Sequence, residues 1–157
     1  MLGHSECRRD ARLSHADIAC KAAAAVPLLQ VMVCVGEAWR GASQNEIAKQ
    51  LRASLRDDLD PARLSVAYEP VWAIGTGDTP LPAEIDAMHR RLRDVLTARF
   101  GGAGEQVRIL YGGSVSAGNA REIIALSHVD GLLVGGASLA ATTFLPIAEA
   151  MAEAAIA

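Results

Sequence analysis

The sequence has no excess of basic residues, few cysteines and no long unbroken apolar run, and each shortage removes a class of protein. Fifteen Lys and Arg stand against 18 Asp and Glu, a net charge of −3. No bulk positive surface is therefore available for nucleic acid or anionic lipid, and neither nucleic acid nor membrane is expected as a partner. A small anionic ligand must be captured locally. Cys7, Cys20 and Cys34 are an odd number without metal-ligand spacing, so reduced thiols in a cytoplasmic protein are expected, not a disulfide framework or a metal site. The longest apolar stretch, Ala22 to Val35, is interrupted by Pro27 and Gln30 and falls short of the roughly 20 residues that a membrane-spanning helix needs. A secretory signal would place a basic segment before an apolar one. This chain opens Met1-Leu2-Gly3-His4-Ser5-Glu6 and reaches Arg8-Arg9-Asp10 at once, so no such signal is expected.

What is present suits one folded domain over 1–157, since 157 residues with 51% apolar side chains can bury a core. Short apolar runs alternate with longer helix-period segments, the pattern of repeated βα units around a parallel sheet. Strands are expected at Val31–Val35, Leu64–Tyr68, Val107–Tyr111 and Gly131–Val134, all apolar enough to be buried on both faces. Ser14 with Asp17 and Ser43 with Glu46 each set a hydroxyl three residues before an acid, the arrangement that satisfies free N–H groups at a helix start. Helices should therefore begin near 15 and 44. A third should start near Pro82 and stop at Gly101-Gly102, a short one should span Asn119 to Leu126, and the last should run from about Phe144 to Ala155.

The glycine-rich segments fall directly after these strands, where β/α folds place their ligand-binding loops. Tyr68-Glu69-Pro70-Val71-Trp72-Ala73-Ile74-Gly75-Thr76-Gly77 puts a carboxylate at a strand end, then a stiff stretch, then a flexible tip, the layout of a base beneath a lid. Taken alone, it fits equally well a surface glutamate followed by an ordinary loop. Tyr111-Gly112-Gly113-Ser114-Val115 and Val134-Gly135-Gly136-Ala137-Ser138 follow successive strands, and both can offer backbone N–H groups to a phosphate without Lys or Arg. A Gly-Gly pair is also a common tight turn; two such pairs after successive strands carry more weight. Gly3-His4-Ser5-Glu6 places an imidazole at a strand terminus, although a lone histidine is more often structural. His15, His89 and His128 show no partner pattern and are read as structural. Glu37 closes another strand, either bonding within the loop layer or serving as a helix-start acid.

Together Gly3–Glu6, Val33–Glu37, Tyr68–Gly77, Tyr111–Val115 and Asp130–Leu139 resemble the triosephosphate isomerase family, in the family's order and over nearly the whole chain. The resemblance implies an α/β fold, an incomplete (β/α)8 barrel of C-terminal βα units. It implies that the first three units are absent, with the asparagine and lysine that follow the family's first strand. It implies Glu69 as the base that moves a proton between adjacent carbons. His4 would be the neutral electrophile that polarises the carbonyl, for which this family is the standing example. Gly75, Ser114, Gly135 and Gly136 would hold phosphate through backbone, and Ser5, Glu6 and Trp72 would support them. The implied reaction interconverts glyceraldehyde 3-phosphate and dihydroxyacetone phosphate in glycolysis and gluconeogenesis, with no cofactor and no metal. The family is homodimeric, but its third-unit interface loop is missing here. Two other readings stay open: a noncatalytic remnant or phosphate-binding module of the family, and a related isomerase acting on a four-carbon ketose phosphate.

Overall fold

The computed structural model describes residues 1–154. Its elements are helices α1 (Ser5–Asp10) and α2 (His15–Ala25), strand β1 (Val31–Val35), α3 (Gln44–Ser54), β2 (Leu64–Tyr68), α4 (Pro82–Phe100), β3 (Arg108–Tyr111), α5 (Ala120–Ile124), β4 (Gly131–Leu132) and α6 (Ala141–Ala154). The four strands are parallel and lie in the order β1-β2-β3-β4, with Val33 opposite Val66 and Val66 opposite Ile109. Leu2 adds one parallel bridge to Val33 on the far side of β1.

Side chains alternate across a strand, and here the alternation sorts them into two unlike layers. Val31, Val33, Val35, Leu64, Val66, Tyr68, Val107, Ile109 and Tyr111 join Ile18, Ile47, Leu51, Ile85, Leu92 and Leu96 of the helices in one core. On the opposite face Cys34 and Ala67 are fully buried, but Met32, Ser65 and Leu110 are only half-buried. The sheet is therefore sealed by helices on one side and only partly covered on the other, as a barrel wall is when part of the barrel is not there to face it.

The helix starts follow their expected chemistry. Ser14 Oγ accepts the Asp17 N–H at 3.1 Å while Asp17 accepts the Ser14 N–H at 2.9 Å. The hydroxyl of Ser43 accepts the N–H of Asn45. Pro82 opens α4, and Glu84 reaches back to the Leu81 N–H at 2.7 Å. Differences from expectation lie at the ends. β3 begins at Arg108, and β4 is two residues long, although the Leu133 N–H still donates to the Tyr111 carbonyl. The short helix contracts to Ala120–Ile124. The last helix starts three residues early, at Ala141, and its expected end at Ala155 lies outside the described residues. α1 was not expected: Ser5–Asp10 is six residues without a buried side chain, so no apolar periodicity announces it. All three cysteines are free thiols, Cys7 and Cys20 exposed and Cys34 buried. Among the described residues no helix is long and apolar enough to cross a membrane.

Candidate active site

Parallel strands bring their C-terminal ends to one rim, and the loops leaving that rim enclose a cavity of about 400 Å³, within the usual size range for small-ligand sites. His4, Glu69, Gly75, Ser114, Gly135 and Gly136 all line it. Ser5, Glu6 and Trp72 do not.

Glu69 is the first residue beyond β2, and its own N–H extends the ladder by donating to the Val35 carbonyl at 2.8 Å. Its side chain is almost wholly enclosed. Oε2 accepts the Ser5 N–H at 3.1 Å. Oε1 lies 3.4 Å from His4 Nε2, close enough for an ion pair, but the alignment is not that of a hydrogen bond and the atom is left without a partner. Burial pushes the Glu69 carboxyl above the usual carboxylate range, opposed by His4, the Ser5 N–H, Cys34 and Arg8. A carboxyl held up in this way binds a proton more readily than a free one, which suits a group that both takes and returns a proton.

His4 owes its place to the segment before it. Leu2 donates to the Met32 carbonyl at 2.7 Å and accepts from the Cys34 N–H at 2.9 Å, so this stub runs beside β1. Arg8 then fastens the turn: Nε donates to the Gly3 carbonyl at 2.7 Å and Nη2 to the Cys34 carbonyl at 2.8 Å, while Nη1 meets His15 Nδ1 at 2.9 Å. Ser5 contributes its backbone to the site. Glu6 stands 4.0 Å from His4 Nδ1 with most of its side chain in solvent.

Trp72 lies in the one-turn helix Val71–Ala73 after Glu69 and Pro70. Its Nε1–H donates to Glu37 Oε1 at 3.0 Å, the same oxygen that accepts the Tyr68 hydroxyl at 2.9 Å, and Arg40 sits 5.0 Å over its ring. Glu37 thus bonds within the loop layer and does not start a helix. Its proton affinity is raised, burial being the main cause. Gly36, just before it, has no room for a side chain, because a Cβ there would overlap the carbonyl of Glu69. Gly75 at the lid tip has φ 72°, a conformation that glycine adopts without strain. At the last loop, Gly136–Leu139 forms a single helical turn above β4, with the Ser138 N–H bonded to the Gly135 carbonyl. Open space lies over Gly135 and Gly136, so an anion could approach the backbone there.

Arg8, His15 and Cys34 are the parts of the site that sequence reading passed over. Arg8 sits in a run of charges that looks like solvated surface, and nothing local marks its neighbours 26 residues away. Among the described residues no group of three His, Cys, Asp or Glu could hold a metal.

A sheet of parallel βα units with a carboxylate–imidazole pair and glycine loops at its C-terminal rim defines a protein of the β/α-barrel class. Comparison with known proteins narrows this. The family model described as Triosephosphate isomerase matches residues 1–151, and the chain belongs to the triosephosphate isomerase family. Relatives called triosephosphate isomerase include one from Ruegeria pomeroyi, 49% identical over 99% of this chain and 64% of its own length. One from Rhodopseudomonas palustris is 50% identical over 94% of this chain and 60% of its own. The crystal structure of triosephosphate isomerase from Bartonella henselae superposes with a TM-score of 0.84 at 36% identity, covering 95% of this chain and 62% of that one. The chain therefore spans somewhat under two thirds of the length of these relatives.

Proposed function

We propose that this chain carries the proton-transfer and phosphate-holding half of a triosephosphate isomerase, acting on glyceraldehyde 3-phosphate and dihydroxyacetone phosphate. Glu69 takes a proton from the carbon next to the substrate carbonyl, and His4 Nε2 polarises the carbonyl oxygen as charge moves onto it. The enediolate regains that proton from the Glu69 carboxyl on the neighbouring carbon while the hydroxyl proton passes through His4 Nε2 to the former carbonyl oxygen, so both residues end as they began and no redox partner is needed. Gly75, Ser114, Gly135 and Gly136 offer backbone to the phosphate, and Trp72 with Glu37 seats the lid. The observation that carries this reading is the enclosed Glu69 carboxyl, with one oxygen unpaired 3.4 Å from His4 Nε2, in the same cavity as the glycine loops. A cytoplasmic setting in sugar-phosphate metabolism goes with it. The family's homodimer would need surfaces other than the third-unit loop.

A coupled assay for glyceraldehyde 3-phosphate conversion by the purified chain tests this, with Glu69→Gln as control against host enzyme. Turnover that vanishes in the control supports the reading; turnover that survives it removes Glu69 from the role. One feature favours a second reading, phosphate binding without turnover: His4 hangs on a stub joined to the sheet by a single bridge, and catalysis is sensitive to errors of about 1 Å in such placement. Saturable binding of inorganic phosphate by a folded but inactive chain would favour that reading.

A further inference from the structure

Arg8 ties together the turn at Gly3, the end of β1, α2 and α3. Besides its bonds to the Gly3 and Cys34 carbonyls, Nη2 comes 3.4 Å from the Ser54 hydroxyl, and Nη1 donates to His15 Nδ1 at 2.9 Å. The carbonyls and the hydroxyl can accept at any pH. His15 is the exception. A guanidinium only donates, so Nδ1 must accept and the ring proton must sit on Nε2. A second proton would go on Nδ1, setting N–H against N–H and cation against cation. Burial and the Arg8 charge both hold the imidazole below its ordinary value. Its place as the first residue of α2, where the helix dipole is positive, acts in the same sense. The other charged groups around the ring are Glu37 after β1 and Glu46 and Lys49 of α3, which line with it a groove of about 600 Å³, and Asp17 of α2 itself, which is bonded back to Ser14.

We propose that His15 is an acid-operated latch on Arg8 and, through Arg8, on the placement of His4 and Glu69. With the ring neutral, Arg8 is held against the Gly3 carbonyl and so sets the turn into His4 and the Ser5 N–H that donates to Glu69 Oε2. Protonation ends the contact, and the groove gives the ring room to turn away from Arg8 on a side lined by carboxylates. Arg8 then loses the partner that fixes one arm of its fork, and the turn at Gly3-His4-Ser5 relaxes. The latch is closed at neutral pH and opens below about 6.5, since the folded value of His15 lies under the ordinary one. As a control on isomerisation it rests on the roles proposed for His4 and Glu69; as a rearrangement of the chain it does not.

Nitrogen and amide NMR of the full chain between about pH 7.5 and about pH 5 tests this. The His15 ring nitrogens report its own midpoint, and the Arg8 Nε–H and Ser5 amide resonances should each show a step there. Steps that belong to His4 or Glu69 fall at the midpoints of those groups. His15→Asn sets a side-chain oxygen that takes no proton where Nδ1 stood, so it should keep the neutral-pH positions of both resonances and lose the step. His15→Lys, a cation throughout, should show the acid positions already at about pH 7.5. Arg8 and Ser5 resonances that ignore the His15 midpoint in the unaltered chain would overturn the latch, as would a step that persists in His15→Asn or neutral-pH positions retained in His15→Lys. None of these readings needs turnover, so a chain with a working latch and no isomerase activity would remove the role proposed for His4 and Glu69 and leave the latch standing.

Discussion

His89 lies on α4 with no exposed surface, its ring 5.8 Å from that of Tyr68 and 6.4 Å from that of Tyr111. Nδ1 is 3.2 Å from the His128 carbonyl, which can only accept, so the proton sits on Nδ1 and the buried Nε2 is left bare. A second proton would put a charge where nothing receives it, and burial pushes the imidazole down to about 4. In the unfolded chain it titrates near its ordinary value of about 6.5. The unfolded state therefore takes the proton first as pH falls, and the stability that a neutral His89 contributes is intact above about pH 6.5 and lost on the way down to about 4. Linkage puts the loss on the order of 1 kcal/mol by pH 5.5 and roughly 2–3 kcal/mol by pH 4.5. That is a large part of the roughly 5–15 kcal/mol of a typical domain. Glu37 and Glu69, whose carboxyls are raised by burial, act with opposite sign, gaining stability as pH falls through their folded values. The quantity to measure is thus the difference between the chain and its His89→Leu variant, from urea unfolding followed by circular dichroism at about pH 7.5, 5.5 and 4.5. The variant should hold its midpoint better in acid by the amounts above. Two curves falling in parallel would refute the assignment of the acid loss to His89.

Three further outcomes follow from packing and burial. Gly36→Ala drives a methyl into the Glu69 carbonyl, so it should destabilise by about 1–3 kcal/mol in urea, as overpacking does, and shift the Glu69 amide resonance; an unperturbed midpoint would mean that the two backbones are not in contact. Leu92→Ala empties a fully buried site between α4 and the sheet and should lower stability by about 2–5 kcal/mol in the same assay. Thiol titration with an aromatic disulfide at neutral pH should find Cys7 and Cys20 reactive, while Cys34, buried and with its thiol strongly raised by burial and by Glu69, reacts only on unfolding.

The sheet was legible because its strands are continuous apolar runs between capped helices, and Val31–Val35 and Leu64–Tyr68 come out with the expected bounds. The end of β4 was not legible: Leu133 and Val134 are as apolar as a strand, but the chain there has a neighbour on one side only. Candidate site residues that sit directly at strand ends, Glu69, Ser114, Gly135 and Gly136, could be picked out because position after a strand carries meaning in a βα repeat. The groups that fix them could not. Arg8 and His15 act through contacts between elements, and Tyr68 reaches Glu37 across 31 residues; no local period records such pairings. Glu6 shows the converse, since a charged residue beside His4 in sequence turns out to face solvent.

The order β1-β2-β3-β4, with Leu2 beside β1, means that every strand pairs with the one made just before it. Such a sheet can be laid down as the polypeptide leaves the ribosome, since no strand has to wait for a partner made much later. His4 and Glu69 are already in register once β2 has docked, whereas the turns at Ser114 and Gly135-Gly136 come last. Among the candidate site residues, His4 and Glu69 are therefore in place before Ser114 and Gly135-Gly136 have been made. A nascent chain released soon after β2 would carry His4 and Glu69 without the loops at Ser114 and Gly135-Gly136.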